Sequence, residues 1–289
     1  MTNQLSPAST AKGRLQRAIL ALLDEHADAD ALPTSGRFLW YELEQRGVVD
    51  KDRHRGHPGV KRGQDQDVAD ALMHLREQGV IEWWWIADET RAVQVPGYAA
   101  TVAAWHREAA EAKRDVIDRW AGEPPPLILT ESRSLAGVLR PVAYKYAAPI
   151  AATNGQAGGF LHTEVAPLLG KRRVLYLGDL DLAGNQIEAN TRRVLARYDA
   201  DLAWERLALT GAQADQYDLR RLAITKRDKR YADGHPHLAI ETEALSQPVL
   251  VGILTSRLDD LLPEPLEAVL DRETAEREPL RRLFERWPS

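Results

Sequence analysis

Apolar residues in the first third of the chain recur at the spacing of one helix face. This spacing predicts helices over 13–26, 35–46 and 65–78. Gly79 follows the third helix directly, and glycine is common at that position after a helix C-terminus. Residues 80–95 are largely apolar on both sides of a polar turn at 88–90, which indicates two strands.

Three helices followed by a β-ribbon are typical of a winged helix-turn-helix domain, whose third helix enters the major groove of DNA. We therefore predict a DNA-binding domain over residues 1–97. Residues 98–124 are predicted to be a helical linker, because most of this stretch is Ala-rich and charged at helical spacing. The linker ends in the Gly-Glu-Pro-Pro-Pro sequence of residues 122–126, where we place the domain boundary.

The second half of the chain alternates short apolar runs with helical patterns. Strands are predicted over 127–130, 149–153 and 174–178, and helices over 134–146, 160–169 and 185–198. Such a series predicts a parallel sheet with right-handed crossovers, so the fold class is α/β. We assign residues 125–249 to this domain and 250–289 to an acidic, helical C-terminal segment.

Composition narrows the class of protein. The chain has 289 residues, which is long enough for two modest domains. Of these residues 44% are hydrophobic and 28% are charged, as in ordinary globular proteins. It has no cysteine, which excludes disulfides, thiolate metal ligands and cysteine nucleophiles. Because the sequence shows neither a signal-peptide core nor ~20 consecutive apolar residues, we expect a cytoplasmic protein with no membrane partner.

The net charge of -5 argues against a protein that coats nucleic acid through bulk positive charge. Any contact with DNA would depend on local basic patches. Residues 51–62 form one patch between the second and third helices, with the cations Lys51, Arg53, Arg55, Lys61 and Arg62. They predict binding to DNA phosphates, and the alternative is a flexible, solvated loop. Residues 225–230 form a second basic patch. A contact with the DNA backbone or with a second subunit and a simple exposed turn are equal alternatives for it.

Carboxylates follow two of the predicted strands. Asp179 and Asp181 come directly after the third strand, and their spacing directs both side chains the same way. Glu131 follows the first strand, and open parallel sheets bind ligands at the carboxyl ends of their strands. Converging carboxylates repel one another unless a cation lies between them. The three acids therefore predict a site for a divalent cation that prefers oxygen ligands.

Other interpretations of these residues stay open. Aspartate is common at helix N-caps and in solvated turns, and either aspartate alone would fit that role. A DxD sequence also occurs in haloacid-dehalogenase-type phosphatases, but on their first strand, whereas here it follows the third. Gly184 predicts a tight turn, and the glycine-rich residues 154–159 would let the backbone approach a ligand closely.

Two short motifs resemble a known family. Glu131 and the sequence Asp-Leu-Asp-Leu-Ala-Gly at 179–184 resemble the Toprim domain of topoisomerases, primases and related nucleases. A winged helix followed by Toprim is similar to the A subunit of topoisomerase VI, a type IIB topoisomerase, and to its meiotic double-strand-break relatives. In their Arg-x-x-Tyr-Tyr motif the second tyrosine attacks DNA; this chain has Arg37-Phe-Leu-Trp40-Tyr41, with Trp40 replacing the first tyrosine. The resemblance covers the layout of the whole chain, but only these motifs are specific.

The resemblance implies metal-dependent DNA cleavage by tyrosine transesterification. Tyr41 would attack the phosphate, and Glu131, Asp179 and Asp181 would hold Mg2+ (or Mn2+). A homodimer is implied, because in the family the tyrosine and the Toprim acids of one active site come from different subunits. The family's ATPase is a separate partner subunit, and this chain has no GxxxxGK[ST] nucleotide loop.

The residues around Tyr41 support two roles for it. Arg37 lies one helical turn earlier on the same face, where its charge would favour the phenolate of a phenol whose ordinary pKa is ~10. Its planar guanidinium also suits a phosphate. Alternatively, Tyr41 packs in the core of the helical domain with Phe38, Leu39 and Leu43.

Two further functions fit the same sequence. A Toprim endonuclease, similar to the nuclease subunit of Wadjet plasmid-defence systems, would use metal-activated water in place of Tyr41. Trp40 and the missing ATPase subunit favour it. A winged-helix DNA-binding regulator would keep the acids without using them, which the intact acids speak against. The predicted wing carries Trp83–Trp85, with the first and third indoles on one face, as packing surface or for stacking.

Overall fold

The computed structural model describes residues 5–50, 54–55, 62–86, 118–154, 158–223 and 238–285. Its N-terminal part contains the helices α1 (Ala11–Asp28), α2 (Gly36–Gln45) and α3 (Gln64–Glu77). The short strands β1 (His54–Arg55) and β2 (Arg62–Gly63) pair antiparallel before α3. The three helices predicted from apolar spacing are therefore confirmed.

Local sequence sets where these helices begin and end. The Thr10 hydroxyl accepts from the Gly13 amide to cap α1, and the Ser35 hydroxyl accepts from the Phe38 amide to cap α2. Gly79 follows α3 with a φ of 64°, a conformation that costs glycine little. The apolar faces of the three helices then bury one another, through residues that include Ile19, Leu22, Leu23, Leu39, Leu43, Val68, Leu72 and Leu75.

Most of the predicted first strand of a wing is wrong, and among its described residues only Ile86 forms a β-bridge, with Thr34. Trp83–Trp85 form a single 3-10 turn. The Arg76 side chain donates to the carbonyl oxygens of Trp83 at 2.6 Å and Ile86 at 2.5 Å, and its guanidinium lies 5.3 Å from the Trp83 ring centroid. These contacts curl the backbone around one cation, so that Trp83 and Trp84 are exposed and Trp85 is partly buried. The predicted second strand and the linker helix up to residue 117 lie outside the described residues, so the winged helix is not confirmed.

The α/β part contains one parallel sheet. Its strands β3 (Leu127–Thr130), β4 (Ile150–Ala152), β5 (Val174–Leu177) and β6 (Trp204–Ala208) lie in the order β4-β3-β5-β6. All three neighbouring pairs run parallel. The predicted α/β class and its first three strands are confirmed, and β6 is an additional edge strand.

Helices connect and follow these strands. They are α4 (Arg133–Lys145), α5 (Leu182–Leu195), α6 (Gly211–Gln216), α7 (Gln247–Leu261) and α8 (Leu266–Glu285). The helix predicted over 160–169 is irregular, with π-helical residues Leu161–Val165 followed by the 3-10 turn Ala166–Leu168. Pro167 explains part of this change, because it has no amide hydrogen for a regular helical bond. None of the described helices combines the length and apolar character that a bilayer crossing requires.

The sheet is buried on both faces, as the alternation of side chains along β3 and β5 requires. On one face, Ile128, Leu175 and Leu177 pack in a cluster that includes Leu139 of α4 and Leu254 of α7. On the other face, residues of the same strands pack with the irregular segment and with α5, namely Leu127, Leu129, Val174, Tyr176, Leu161, Val165, Val194 and Leu195. Helix α7 therefore belongs to the core of the sheet.

Helix α2 joins the two parts of the molecule. Its Phe38 is fully buried in the core of the α/β part, although the following residue, Leu39, lies in the helical core. The Glu42 carboxylate of α2 accepts from the Gln247 amide at 2.9 Å, and the Gln247 side chain donates to the Pro33 carbonyl at 2.9 Å. These buried bonds fix α2 against the start of α7.

Candidate active site

Three carboxylates from two segments meet at the carboxyl end of the sheet. Asp179 follows β5, and Glu241 and Glu243 lie at the 3-10 turn Thr242–Ala244. One oxygen from each carboxylate lies within 4.8 Å of the other two. We call this group the carboxylate triad. Its two segments are joined where Leu180 and Ile240 form an antiparallel bridge, with an N–H···O distance of 2.9 Å.

Asp179 is held in place by the opposite segment. Its Oδ1 accepts from the Thr242 amide at 2.8 Å and from the Thr242 hydroxyl at 3.0 Å. Burial raises the pKa of the Asp179 carboxyl to about 9, and the nearby charges of Glu241 and Glu243 act in the same direction. When Glu241 and Glu243 are ionised, a negative charge on Asp179 is therefore unfavourable. The triad favours either a proton on Asp179 or a bound cation.

Glu243 is fully buried, and its two oxygens have different environments. Its Oε1 accepts from the hydroxyls of Ser132 at 2.7 Å and Ser134 at 2.9 Å, and from Arg37 Nε at 2.9 Å. Its Oε2 is buried without a hydrogen-bond partner among the described residues. Buried carboxylate oxygens are normally paired, so this oxygen has unused capacity to bind a cation. The donor set, which consists of carboxylate oxygens, fits Mg2+ or Mn2+.

Arg37 and Tyr41 of α2 reach the same site. Arg37 Nη2 lies 3.0 Å from Glu241 Oε2, and its guanidinium carbon lies 5.4 Å from the Tyr41 ring centroid. The Tyr41 phenol is 6% exposed and hydrogen-bonds to Glu241. Burial, followed by the charge of Glu241, raises the pKa of the Tyr41 phenol far above its usual value. Arg37 acts to lower that pKa, as the sequence predicts, but the other effects outweigh it.

Glu131 and Asp181 lie beside the triad and are held by different bonds. Glu131 Oε2 accepts from the Asp179 amide at 3.0 Å, so Glu131 does converge with Asp179 as predicted. Burial is the main effect that raises the pKa of the Glu131 carboxyl, to which the charge of Asp181 adds. Asp181 Oδ1 accepts from the Gly184 amide at 2.6 Å and caps α5, which is the alternative role that the sequence left open.

Gly184 permits a close approach between α5 and the end of β5. A Cβ atom at this position would lie 2.5 Å from the Asp179 carbonyl oxygen, which no side chain could occupy without a shift of the backbone. Gly184 lies within the first turn of α5, so the predicted tight turn at this residue is wrong. Its function here is to let Asp181 cap the helix next to Asp179.

Arg206 of β6 fixes the backbone that carries Asp179. Its Nη2 donates to the carbonyl oxygens of Gly178 at 2.8 Å and Asp179 at 2.6 Å, and its Nε donates to the Leu209 carbonyl at 2.8 Å. Glu188 of α5 pairs with the same guanidinium. One side chain thus ties the ends of β5 and β6 to α5.

The predicted DNA-binding loop is described only in part. Arg55 and Arg62 pair in the β1–β2 ladder, while Lys51, Arg53 and Lys61 lie outside the described residues. The basic residues 225–230 and residues 155–157 of the glycine-rich loop also lie outside them.

Glu241 and Glu243 are the site residues that the sequence prediction missed. They follow the apolar run Leu238–Ile240 and are spaced two residues apart, which is the pattern that also marks Asp179 and Asp181. The run is only three residues long, and it follows a polar segment that gives no strand signal. In the structure Leu238–Ala239 form a short strand that pairs antiparallel with Leu222–Ala223, so the pattern of acids after a strand was present twice.

The comparisons with known proteins provide no family for this chain. Neither a scan against protein-family models nor a search of curated proteins finds a match.

Proposed function

We propose that the chain is a divalent-metal-dependent enzyme that hydrolyses phosphodiester bonds in DNA. The observation that carries this proposal is the carboxylate triad with one buried, unpartnered oxygen on Glu243. Two sequence features support DNA as the substrate: the Toprim-like motifs, and the basic loop between the second and third helices. Both remain predictions.

Asp179, Glu241 and Glu243 would hold the cation, because they supply oxygen ligands at the edge of the sheet where substrates reach open α/β folds. When bound, Mg2+ or Mn2+ would neutralise charge on the phosphate and lower the pKa of an attacking water. The protein contributes the fixed geometry: Thr242 orients Asp179, and Ser132 and Ser134, at the start of α4, orient Glu243.

Other side chains of the site have roles that follow from their chemistry. Arg37 is 45% exposed and lies at the triad, where its guanidinium can orient a phosphate by two parallel hydrogen bonds. Glu131 lies beside Asp179 and has a raised pKa, which makes its carboxylate a stronger base than that of an ordinary glutamate. We therefore assign Glu131 the role of general base, which accepts the proton of the attacking water. Arg206 keeps the Asp179 backbone in place.

A second candidate, tyrosine transesterification, is favoured by the hydrogen bond between Tyr41 and Glu241. In that reaction the Tyr41 oxygen would bond to phosphorus, Glu241 would take the phenolic proton, and a deoxyribose oxygen would leave. The burial of Tyr41 and its raised pKa oppose this reaction, since the neutral phenol is a poor nucleophile. We therefore place hydrolysis first.

Plasmid cleavage separates these functions. The purified protein is incubated with supercoiled plasmid and Mg2+ or Mn2+, stopped with a chelator, and analysed with and without protease. Hydrolysis predicts nicked or linear DNA from wild type and Tyr41→Phe, and none from Asp179→Ala or Glu243→Gln. The matched control is Glu267→Gln, which changes an exposed acid on α8.

The opposite patterns are equally clear. Loss of cleavage in Tyr41→Phe, together with wild-type products that enter the gel only after protease, would select transesterification. If wild type with either metal leaves both the plasmid and single-stranded circular DNA intact, the proposed activity is overturned.

A further inference from the structure

A cleft between α2 and the start of α3 lies next to the triad. It has a volume of about 460 Å³, within the range of roughly 300–1,000 Å³ that is typical of small-molecule sites. One wall is the face of α2 with Arg37, Trp40 and Tyr41, and the opposite wall includes Gly63 and Gln64. Arg37 and Tyr41 therefore border both the cleft and the carboxylate triad.

The walls of the cleft combine an aromatic surface with polar groups. Trp40 is partly buried against the helical core, which holds its indole while leaving part of it exposed. Opposite, the Asp65 carboxylate takes the place of a side chain at Gly63, where a Cβ atom would lie 2.1 Å from Asp65 Oδ1. The Gln64 side chain is fixed, because its Oε1 accepts from the Asp50 amide at 2.7 Å, and the exposed Asp65 adds a carboxylate. A flat, polar-edged ring fits this lining better than an aliphatic ligand does.

The position of Arg37 connects the cleft to the proposed chemistry. Its guanidinium lies within 3.0 Å of two triad carboxylates and also borders the cleft. If Arg37 contacts the reacting phosphate, the base of the adjoining nucleotide is within reach of Trp40, because only a sugar separates them. A base that is stacked and paired in a duplex cannot enter such a cleft without leaving the helix.

We propose that this cleft binds one unpaired nucleobase of the substrate strand, stacked on Trp40, so that the enzyme acts on single-stranded DNA or on a duplex with a locally unpaired nucleotide. The inference rests on the proposed function for the position of the phosphate. Trp40, which replaces the first tyrosine of the Arg-x-x-Tyr-Tyr motif, then provides the stacking surface.

Binding is measured in the presence of a chelator, so that no cleavage occurs. Fluorescence anisotropy compares a labelled single strand, the matching duplex, and a duplex with one unpaired nucleotide, using the full chain. We expect wild type to bind the two substrates with unpaired bases at least about tenfold more tightly than the duplex. Trp40→Ala should remove most of that preference, and Trp40→Phe should keep it, since stacking on an aromatic ring contributes about this much per base.

Two controls keep the test independent of folding and of other aromatic surfaces. Trp84→Ala removes a tryptophan that is 60% exposed and outside the cleft, and it should leave binding unchanged. In the second control the unpaired nucleotide of the substrate is replaced by an abasic one. Wild type should bind this substrate as weakly as Trp40→Ala binds the intact one, and this control does not require any variant to fold.

The outcomes distinguish this inference from the proposed function. Trp40-dependent binding of unpaired bases supports the cleft even if plasmid is never cut. The cleft is overturned if wild type binds the abasic and intact substrates equally tightly. It is also overturned if Trp84→Ala weakens binding and Trp40→Ala does not. Either result holds even if triad-dependent cleavage is observed. Absence of DNA binding to any of the three substrates overturns the cleft, whereas the proposed cleavage is decided by the plasmid experiment with metal.

Discussion

Arg37 Nε lies 2.9 Å from Glu243 Oε1, although 206 residues separate the two in the sequence. This ion pair joins α2 to the α/β part within one chain. Tyr41, one helical turn further along α2, hydrogen-bonds to Glu241 of the same chain. The resemblance to topoisomerase VI implies that the tyrosine and the acids of one site come from two subunits. Here the side chains that the proposed reaction needs already meet inside a single chain.

A complementation experiment tests this intrachain arrangement. Arg37→Ala and Asp179→Ala each remove one side of the site, and we expect each to abolish plasmid cleavage. When the two variants are mixed, cleavage should stay at background, because neither chain holds a complete site. The initial rate of wild-type cleavage should also rise in direct proportion to protein concentration. A site shared between subunits gives the contrary result: the mixture recovers a substantial part of wild-type activity, and the rate rises more steeply than the concentration.

Metal binding should stabilise the folded protein through the triad. A ligand that binds only the folded state at 100 times its Kd adds about 2.7 kcal/mol to the free energy of unfolding, roughly 5–10 °C in Tm for a protein of this size. We expect Mn2+ to raise the Tm of wild type and of Glu267→Gln by this amount, and to leave the Tm of Glu243→Gln nearly unchanged. Differential scanning calorimetry with increasing Mn2+ measures the shift. An equal shift in Glu243→Gln would show that the cation binds elsewhere.

The triad should lower the stability of the metal-free protein as the pH rises. The pKa of Asp179 is about 9 in the folded state and ~3.9 in an unfolded chain. Between these values the folded state binds more protons, so ionisation of this group decreases the free energy of unfolding as the pH increases from about 4 to about 9. Asp179→Asn removes the titration, and its Oδ1 can still accept the two bonds from Thr242.

Urea denaturation in the presence of a chelator at pH 4, 7 and 9 tests this stability difference. Asp179→Asn should match wild type near pH 4 and become increasingly more stable than wild type towards pH 9. The same substitution should remove the stabilisation by Mn2+. If the difference in the free energy of unfolding between Asp179→Asn and wild type stays constant with pH, Asp179 is ionised throughout this range. The triad then does not repel its charge.

The parts of the fold that the sequence predicted well are those determined by local burial. Strands β3 and β5 are continuous apolar runs of four residues, fully buried in the structure, and their positions follow directly from the pattern. Strand β6 is an edge strand whose residues Trp204–Arg206 are only partly buried, so its mixed composition gave no strand signal. The 3-10 turn at Trp83–Trp85 depends on Arg76, a cation on another element, which no local pattern reveals.

The candidate site shows the same division. Asp179 and Glu131 could be located, because each follows a buried strand at the same edge of the sheet. The contribution of Glu241 and Glu243 depends on the bridge between Leu180 and Ile240, a pairing across 60 residues. Asp181 fits the sequence pattern of a ligand equally well, but the helix that starts there uses its carboxylate as a cap. Competition between a cap and a ligand is decided by tertiary geometry.

Arg206 should determine metal affinity without contacting the metal. It donates to the Gly178 and Asp179 carbonyls, so its loss frees the backbone that carries one carboxylate of the triad. We expect Arg206→Met to weaken Mn2+ binding about 10- to 100-fold, as is typical when a supporting residue of a metal site is removed. The Gly178 carbonyl still accepts from the Leu209 amide at 2.9 Å, but the Asp179 carbonyl loses its bond from Arg206, which should also cost about 1–3 kcal/mol of stability. Isothermal titration calorimetry with Mn2+ measures the affinity.

The matched control for Arg206 is Arg257→Met. Arg257 is a partly buried arginine of α7 that pairs with the Glu205 carboxylate through two nitrogens at 2.8 Å, and it contacts no residue of the triad. Its loss should lower stability without changing Mn2+ affinity. Arg206→Lys keeps the charge but cannot reach the three carbonyl oxygens in the same fixed geometry, so it should resemble Arg206→Met in affinity. If the lysine variant binds Mn2+ as tightly as wild type, then the charge of Arg206 determines the affinity for Mn2+. Its hydrogen bonds to the Asp179 backbone then contribute nothing to that affinity.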